Sequence, residues 1–333
     1  MKKAPKYPQQ KGVALLTILI MVVLATILAV SIIGQQKASL DETRLLLRQD
    51  QALMYAQSAE YFLSELLVQD AKDNESDNLS EAWAKPMPIF PVEDGFVSGE
   101  LIDEHSKFNL NSVLKTDGTV NEPAKKFFQN MLKRLQLDEN LVDAVIDWQD
   151  HDEETVGAMG AENSFYQGVQ QGYLAPNQMF NTIEQLQLVR GFAGEPYQKL
   201  KPYITALPKR DTKINVNTSS AFILSCLHEQ LQTLAVEDAL KQQRENLQNF
   251  ANFSEVWNVA PFSGVEAGQR TAFSDVFDVK SAFFSSNVTV SLSERQRNMR
   301  SWLYRSGDKV QSYQRSWVVT GQSVQPTTKS EHE

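Results

Sequence analysis

The chain opens with a short basic segment followed by an uncharged apolar segment, and a glycine stands at the boundary between them. Residues 13 to 33 carry no charge and are rich in Val, Ile, Leu and Ala, and the first charge beyond them is Lys37. At about 1.5 Å per helical residue, such a segment spans a hydrocarbon core of about 30 Å. The sequence therefore predicts one transmembrane helix over residues 13–33.

The basic residues of this opening segment predict the orientation of the helix. Residues 1–12 contain four lysines and no acidic residue: Lys2, Lys3, Lys6 and Lys11. Because loops rich in Lys and Arg stay on the cytoplasmic side of a membrane, we expect residues 1–12 in the cytoplasm and the rest of the chain on the far side. The protein is thus predicted to cross the membrane once.

The apolar segment does not end as a cleavable secretory signal does. Ala29-Val30-Ser31 imitates a cleavage site, but the segment is longer than the apolar region of an ordinary signal peptide. Beyond it, Ala56, Ala59, Leu63 and Leu66 recur at spacings of three and four, which is the stripe of an amphipathic helix. We predict one continuous rod over residues 13–68, with residues 34–70 as its soluble part.

Gly12 before the apolar segment, with basic residues upstream, resembles the type III signal of type IV pilins and pseudopilins. The resemblance implies a peptidase cut after Gly12, so that Val13 begins the mature chain.

The fifth mature position, usually Glu in that family, is Thr17 here. A carboxylate in hydrocarbon is costly unless it is paired, and the family's Glu is thought to neutralise a neighbouring subunit's amino terminus. Thr17 cannot do so, which suits a subunit at a filament tip. An ordinary signal anchor is the alternative.

Strand patterns flank a long helical region in the rest of the chain. Apolar and polar residues alternate over residues 96–103, which predicts a strand. Over residues 123–147 the apolar residues have helical spacing, which predicts two helices. Three more strands are predicted at residues 281–292, 300–305 and 310–320, with a turn at 306–308. A single early strand is unstable alone, so we predict an α+β body, residues 71–102 and 273–320, interrupted by a helical insertion. Residues 321–333 are predicted to be a disordered tail.

Composition narrows the possible functions. The formal net charge of −9 argues against nucleic acid or anionic lipid as the main partner. Cys226 is the only cysteine, so no internal disulfide can form. No nucleotide-binding, serine hydrolase or zinc protease motif occurs, and we predict no enzymatic activity and no organic cofactor. A membrane-anchored hydrolase using Asp147 and Asp150 as an acid and base pair is an alternative.

An acidic stretch in the helical region is the second informative feature. No Lys or Arg occurs between Arg134 and Arg190. The candidate metal ligands in this stretch are Asp147, Asp150, Asp152, Glu154 and Glu162. Crowded carboxylates without counter-charges repel one another, and a divalent cation relieves the repulsion. Such oxygen ligands suit Ca²⁺ better than Zn²⁺, and His151 has no second His or Cys nearby. From spacing alone, a solvated acidic loop is equally open.

Five further segments make the resemblance specific. They are Phe108-Asn109-Leu110-Asn111, residues 146–152 with residues 160–162 and Tyr166 beyond them, residues 184–191, Pro202-Tyr203-Ile204-Thr205, and Ile214-Asn215-Val216-Asn217-Thr218. In this order behind the leader, they resemble the K minor pseudopilins of type II secretion systems. The resemblance implies a pilin-like long helix on a small antiparallel sheet, with an inserted all-helical domain of two SAM-like units, residues 103–207 and 212–272.

The same resemblance implies location, partners and a metal. It places the anchor in the inner membrane and the body in the periplasm. There the protein joins the I and J minor pseudopilins in a complex that initiates and caps the pseudopilus above the major subunit, after processing by prepilin peptidase. Family members bind calcium in the helical domain, which favours Asp150, Asp152 and Glu162 as ligands, with Asp147 and Glu154 as further candidates.

Two segments allow a rival hypothesis. Residues 188–192 and 214–218 are similar to helix-hairpin-helix elements of DNA-binding proteins. Such hairpins hold phosphate on backbone amides and need basic support. Here Gly191 and Gly194 are not in a Gly-x-Gly turn, and the preceding region is acidic. We therefore expect protein contacts rather than nucleic acid, with a membrane-anchored DNA-binding protein as the alternative.

Overall fold

The computed structural model describes residues 13–170, 172–246, 248–293 and 295–318. The predicted leader with Gly12 and the predicted tail at 321–333 lie outside these residues. The chain divides into two compact units, Met1–Tyr55 and Ala56–Glu333. Each unit is described by itself below.

Long helical and strand segments occur where the sequence pattern predicts them, together with several short elements. The α-helices are α1 (Val13–Asp73), α2 (Glu122–Arg134), α3 (Leu141–Asp147), α4 (Asn163–Gln167), α5 (Glu195–Leu200), α6 (Ala221–Ser225), α7 (Thr233–Glu245) and α8 (Ala267–Arg270). The strands are β1 (Phe90–Val92), β2 (Gly95–Asp103), β3 (Phe108–Asn109), β4 (Ile204–Thr205), β5 (Ile214–Asn215), β6 (Phe277–Asp278), β7 (Phe283–Leu292), β8 (Arg295–Ser306) and β9 (Lys309–Val318). Short 3₁₀ helices cover Ala82–Ala84, Glu104–Ser106, Leu110–Val113, Ile183–Leu188, Lys201–Tyr203, Phe253–Asn258, Phe262–Gly264 and Thr271–Phe273.

The first unit consists of the amino-terminal part of α1. This helix contains an 18-residue window with a mean hydropathy of 3.1, none of it buried within the protein, so it is long and apolar enough to cross a membrane. No acidic residue lies in its first turn. The Thr17 hydroxyl donates a hydrogen bond of 2.9 Å to the Ala14 carbonyl. The polar group at this neutral position is thus satisfied within the helix itself, as a lipid environment requires.

The second unit is built on a five-stranded antiparallel sheet with the strand order β1-β2-β7-β8-β9. Val97 of β2 lies opposite Val290 of β7, and Val288 of β7 lies opposite Met299 of β8. All four side chains are buried. A register shift at Trp302/Leu303 interrupts the pairing of β8 with β9. The predicted small antiparallel sheet, with its meander of last strands, is confirmed, while β1 was not predicted.

The carboxyl-terminal part of α1 packs on this sheet through small and branched side chains. Ala56, Ala59, Leu63 and Leu67 are buried at helical spacing. Leu67 takes the inward position that the sequence pattern gave to Leu66, which is only half buried. A Cβ atom at Gly99 would lie 3.2 Å from Leu63 Cδ1, so the glycine allows the helix to approach β2 closely.

A buried carboxylate joins α1 to the far strands of the sheet. Glu60 accepts hydrogen bonds of 2.8 Å from both Nε and Nη2 of Arg315, and a further one from the Ser301 hydroxyl. A bidentate pair of this kind fixes orientation as well as adding attraction. It sets which turn of the helix faces β8 and β9.

The insertion leaves the sheet after β2 and returns at β7. Its two halves share one hydrophobic core rather than two separate ones. Phe108 stacks on Phe128 with ring centroids 5.1 Å apart, and Phe127 meets Phe277 edge to face at 5.3 Å. The first contact lies within the first half, whereas the contact of Phe127 with Phe277 joins the two halves, and each fully buried Phe contributes roughly 1.5–3 kcal/mol.

The two halves of the insertion contain the same short motif, a two-residue parallel strand pair followed by a buried asparagine. This motif accounts for the sequence segments 108–111 and 214–218. In the first half β3 pairs in parallel with β4, and the Asn111 side chain exchanges hydrogen bonds of 2.7 and 2.9 Å with the Phe180 backbone. In the second half β5 pairs in parallel with β6, and Asn217 does the same with Phe250 at 2.9 and 3.0 Å. The insertion is therefore not entirely helical, and β6 extends the second half beyond the predicted boundary at residue 272.

We predict that Asn217→Ala destabilises the protein by about 2–4 kcal/mol, because it leaves the Phe250 amide and carbonyl buried without partners. Asn249→Ala is the matched control, since that side chain is exposed, and it should cost less than about 0.5 kcal/mol. Chemical denaturation of the full chain in detergent measures both. Equal effects of the two substitutions would contradict the role given to Asn217.

Candidate metal centre

Three carboxylates converge where α3 ends and α4 begins. Asp147 is the last residue of α3, Asp150 follows three residues later, and Glu162 immediately precedes α4. One oxygen from each lies within 4.8 Å of the others. Of the predicted ligands, the structure thus brings Asp147, Asp150 and Glu162 together. The other two predicted ligands, Asp152 and Glu154, are exposed in the connecting loop and lie outside this group.

The loop between α3 and α4 is held directly on this group. The Val156 amide donates to Asp147 Oδ1 at 3.0 Å. A Cβ atom at Gly160 would lie 2.4 Å from Asp147 Oδ2, and one at Gly157, whose φ is +61°, would lie 2.1 Å from Asp143 Oδ2. Only glycine therefore permits the loop to come this close to the carboxylates.

Arg190 also contacts this loop. Its Nη1 donates a hydrogen bond of 2.9 Å to the Gly160 carbonyl, and its guanidinium lies over the Phe165 ring. The glycine turn that follows it packs against α3, since a Cβ atom at Gly191 would lie 2.3 Å from Leu141 Cδ2. The basic side chain of this turn thus serves an internal contact.

Two of the three carboxylates have buried oxygens that no protein donor satisfies. Within the residues that the structure describes, both oxygens of Glu162 and Oδ1 of Asp150 are buried without a hydrogen-bond partner. Glu162 is only 2% exposed. A buried carboxylate without a donor either takes up a proton or binds a cation.

The electrostatics of the site agree with this geometry. Burial, and then the charges of Asp147 and Asp150, raise the pKa of Glu162 to about 8. Burial and the Asp147 charge likewise raise the pKa of Asp150 to about 7, against a smaller opposing effect of Arg210. Burial raises the pKa of Asp147 to about 6, although the Val156 and Ala161 amides oppose it. In the absence of a cation, each of these groups therefore resists ionisation.

The chemistry of the three side chains fits Ca²⁺. All three offer hard oxygen ligands, and oxygens within 4.8 Å of one another can surround an ion at about 2.3–2.6 Å after small adjustments. Neither His nor Cys belongs to the described group, which disfavours Zn²⁺. Asp147, Asp150 and Glu162 would hold the ion, and remaining positions would be filled by backbone carbonyls or water.

A second acidic group differs from the first in having protein hydrogen-bond donors for each of its carboxylates. It consists of Asp70, Asp77 and Glu81. Arg305 donates to Asp70 Oδ2 at 2.9 Å and to Asp77 Oδ1 at 2.5 Å, and Glu81 accepts from the Trp83 indole at 2.6 Å. These carboxylates have protein partners, so we assign them no metal.

Comparison with known proteins agrees with the architecture. Sequence models described as type II secretion system protein K match residues 106–209 and 214–280. The chain is 31% identical to the type II secretion system protein K of Aeromonas hydrophila, over 91% of this chain and 96% of the relative. It is also 30% identical to the protein of the same description from Pectobacterium carotovorum, over 93% of this chain and 97% of the relative. The identity to the Pseudomonas aeruginosa protein of that description is 30% over 90% of each chain. Among solved structures, a chain of the GspK-GspI-GspJ complex from enterotoxigenic Escherichia coli has the same fold, with a TM-score of 0.74, 24% identity, and coverage of 84% of this chain and 100% of that one.

An apolar anchor helix that continues into a soluble helix, a small antiparallel sheet and a large insertion define a pilin-like, membrane-anchored subunit. The sequence comparisons identify one family within this class. The chain belongs to the type II secretion system protein K family and is a minor pseudopilin of that system.

We predict that chelation of divalent cations destabilises the protein, and more so at pH 8 than at pH 5.5. A carboxyl group whose folded pKa is raised contributes stability below its unfolded pKa of about 4, and this contribution is lost as the pH rises through the folded pKa. For Asp147, Asp150 and Glu162 the loss therefore begins near pH 4 and is complete only above their folded pKa values of about 6, 7 and 8. Calcium at a hundredfold excess over its Kd should restore about 2.7 kcal/mol at pH 8.

Thermal unfolding of the full chain in detergent, with EDTA or with Ca²⁺ at both pH values, measures this effect. Glu162→Gln should abolish the calcium-dependent rise in Tm, whereas Glu154→Gln should leave it unchanged. A calcium effect that is independent of pH, or that survives Glu162→Gln, would contradict the assignment.

Proposed function

We propose that this minor pseudopilin forms, with the I and J minor pseudopilins, the complex at the tip of the periplasmic pseudopilus, and that this complex initiates and caps the filament. The crystal structure of the related GspK-GspI-GspJ complex supports this proposal, since it contains the three related proteins together. The role is mechanical, with no catalytic step. Its secretion substrates are other proteins that cross the outer membrane.

The neutral side chain at position 17 is the observation that carries the tip assignment. The Thr17 hydroxyl is already donated to the Ala14 carbonyl and carries no charge. It therefore cannot neutralise the amino terminus of a subunit arriving above it. In hydrocarbon an unpaired ammonium is costly, so addition of another subunit on top is disfavoured.

The insertion gives a second reason for a terminal position. It occupies the chain from Glu104 to Ala282, between two paired strands of the sheet, and it has its own core. A subunit stacked above would have to accommodate this extra volume. The rest of the protein would sit on the major subunit below, through apolar helix surfaces.

A structural Ca²⁺ at Asp147, Asp150 and Glu162 belongs to the same proposal. The ion would relieve the repulsion of three crowded carboxylates, two of them buried, and fix the loop from residue 151 to residue 161 on the first half of the insertion. This would stiffen the part of the protein that distinguishes it from a simple pilin.

The proposed topology follows from the charges that flank the anchor. The lysines of residues 1–12 would stay in the cytoplasm, the anchor would lie in the inner membrane, and the body would lie in the periplasm. Prepilin peptidase would act at the cytoplasmic face, after Gly12. The mature chain would then begin at Val13.

We predict that the full chain, co-expressed with I and J pseudopilins of the same bacterium and extracted in detergent, elutes as a 1:1:1 complex. Size exclusion with light scattering, corrected for detergent, gives the stoichiometry. Co-expression with the major subunit alone is the comparison. Failure to bind either I or J would contradict the proposed function.

We also predict that Gly12→Val blocks processing, because the peptidase requires the small residue before its cut. The full-length precursor should then accumulate, heavier by the mass of residues 1–12, as seen by intact-mass measurement. Gly34→Val is the matched control and should be processed normally, since Gly34 lies at the other end of the apolar segment. Normal processing of Gly12→Val would instead indicate an ordinary signal anchor.

A further inference from the structure

A cavity opens between the sheet and the insertion, where the chain returns from the insertion to β7. We call it the return cleft. Its walls come from the linker between the two halves, around Lys213, and from the returning chain, around Lys280, with the end of α1 and the turn between β8 and β9 beside them. The buried rings of His105 and Phe283 line it and stack with centroids 5.9 Å apart. Its volume of about 430 Å³ is in the range of pockets that hold small ligands.

Charged side chains of both signs line the return cleft. Its cations include Lys209, Lys213 and Lys280, and its carboxylates include Asp211 and Asp278. None of these five side chains takes part in an ion pair among the residues that the structure describes. Opposite charges therefore border one cavity without neutralising each other directly.

The other charged groups of this region are paired or of mixed sign. Arg305 and Asp77 also line the cleft, but they pair with each other, and Arg305 pairs with Asp70 as well. Arg210 donates to two backbone carbonyls outside the cleft, and Lys107 is in an ion pair of its own. The exposed charges on neighbouring segments are Lys72, Asp73, Glu75, Asp275, Asp308 and Lys309. The cleft thus has no field of one strong sign, which disfavours a polyanion such as nucleic acid and also a purely basic ligand.

The five unpaired side chains retain binding capacity. Lys209 and Lys280 are exposed and donate no hydrogen bond within the described part of the chain, and Lys213 donates one of 3.4 Å to a backbone carbonyl. Asp211 and Asp278 each accept one hydrogen bond, from a neighbour that does not line the cleft. An ammonium has three donors and a carboxylate about four acceptor sites, so each group can bind a further charged partner.

The backbone at the cleft also has open hydrogen-bonding groups. The N–H and C=O groups of Asp211 and of Lys280 have no partner among the residues described here. One of these residues lies on the linker and the other on the returning chain. Proteins that recognise peptides commonly use main-chain hydrogen bonds of this kind. The cleft therefore suits a peptide better than a small zwitterion that has no peptide groups.

We propose that the return cleft binds an extended peptide segment that carries an acidic and a basic side chain close together. Lys209 and Lys280 would hold the carboxylate, and Asp211 and Asp278 would hold the ammonium or guanidinium. The segment would bridge the linker between the two halves and the chain that returns to the sheet. This inference is independent of the tip role, because it involves neither position 17 nor the companion pseudopilins.

Binding of short peptides to the full chain in detergent, measured by calorimetry, tests the inference. The probe is acetyl-Glu-Ala-Lys-amide. It should bind about tenfold more tightly than uncharged acetyl-Gln-Ala-Gln-amide, and more tightly than acetyl-Glu-Ala-Glu-amide or acetyl-Lys-Ala-Lys-amide. The preference should shrink at high salt, because the contacts are partly exposed.

Substitution of the lysines locates the carboxylate of the probe. Lys209→Gln with Lys280→Gln should weaken binding of the probe about tenfold. Lys126→Gln is the matched control, since Lys126 is exposed on α2 and does not line the cleft. It should bind the probe as the unaltered chain does. Without peptide, each variant should unfold within about 2 °C of the unaltered chain, because the replaced side chains are exposed.

Substitution of the aspartates separates a ligand of mixed charge from an anion. Asp211→Asn with Asp278→Asn keeps the hydrogen-bond acceptors but removes both negative charges. The probe should bind this variant several-fold more weakly, whereas the all-acidic peptide should bind it no more weakly than it binds the unaltered chain. Asp238→Asn, at an exposed position of α7, should change neither.

Each result decides the inference. Equal binding of the probe and the uncharged peptide, or no binding of either, would overturn it, and this comparison depends on no variant. A preference for the all-acidic or the all-basic peptide would assign the cleft a single sign and reject the mixed one. Probe binding that survives the lysine and aspartate substitutions would place the peptide elsewhere. Tighter binding of free-ended Ala-Ala-Ala, whose charges are at its termini, would indicate released peptides instead of a chain segment and also reject the inference.

Discussion

The attachment of the insertion to the sheet depends on a buried carboxylate that directly follows β2. Glu104 is 2% exposed and accepts hydrogen bonds from Ser285 and Arg300 of the sheet and from Thr205 of the insertion. Burial alone would raise its pKa, but the Lys107 charge and these donors outweigh it and hold the pKa below its ordinary range. The group is thus charged at neutral pH, and its attraction joins the two parts of the body.

The residues on either side of Glu104 extend this joint to the second half of the insertion. Asp103 accepts from Thr218 and Ser281 at 2.6 Å. His105 accepts at Nε2 from the Ala282 amide, so its Nδ1 is the nitrogen that donates to the Lys213 carbonyl. Three consecutive buried polar side chains therefore bind both halves and the returning strand. Buried polar groups of this kind fix one arrangement, because any other leaves them unsatisfied.

Sequence periodicity predicted the helices and strands that bury many side chains. It did not predict the short strand pairs and polar contacts that connect them. α1, β2, β7 and the pair α2 and α3 have long patterns with one apolar face. The two-residue pairs β3/β4 and β5/β6 are too short for any period. Their signal was instead the repeated asparagine in Phe108–Asn111 and Ile214–Asn217, whose meaning depends on partners 33 and 69 residues away. His105 gave no sign of its position, since its partners are distant in sequence.

The candidate metal centre shows a similar limit of sequence reasoning. Alternation in the loop favoured Asp152, which is exposed. The Val156 amide and the glycine contacts hold Asp147 beside Asp150 and Glu162, and sequence spacing alone does not reveal these contacts. The contrast with Asp70 and Asp77 shows what this arrangement adds. There Arg305 supplies a counter-charge that is permanent and covalently part of the chain. At the candidate metal centre the Arg210 charge opposes the raised pKa of Asp150 only in part, and both Glu162 oxygens lack a hydrogen-bond partner among the described residues, so a proposed cation would supply the charge reversibly. The attachment of α1 to the sheet would then be independent of metal, whereas the stiffness of the insertion would follow the calcium concentration around it.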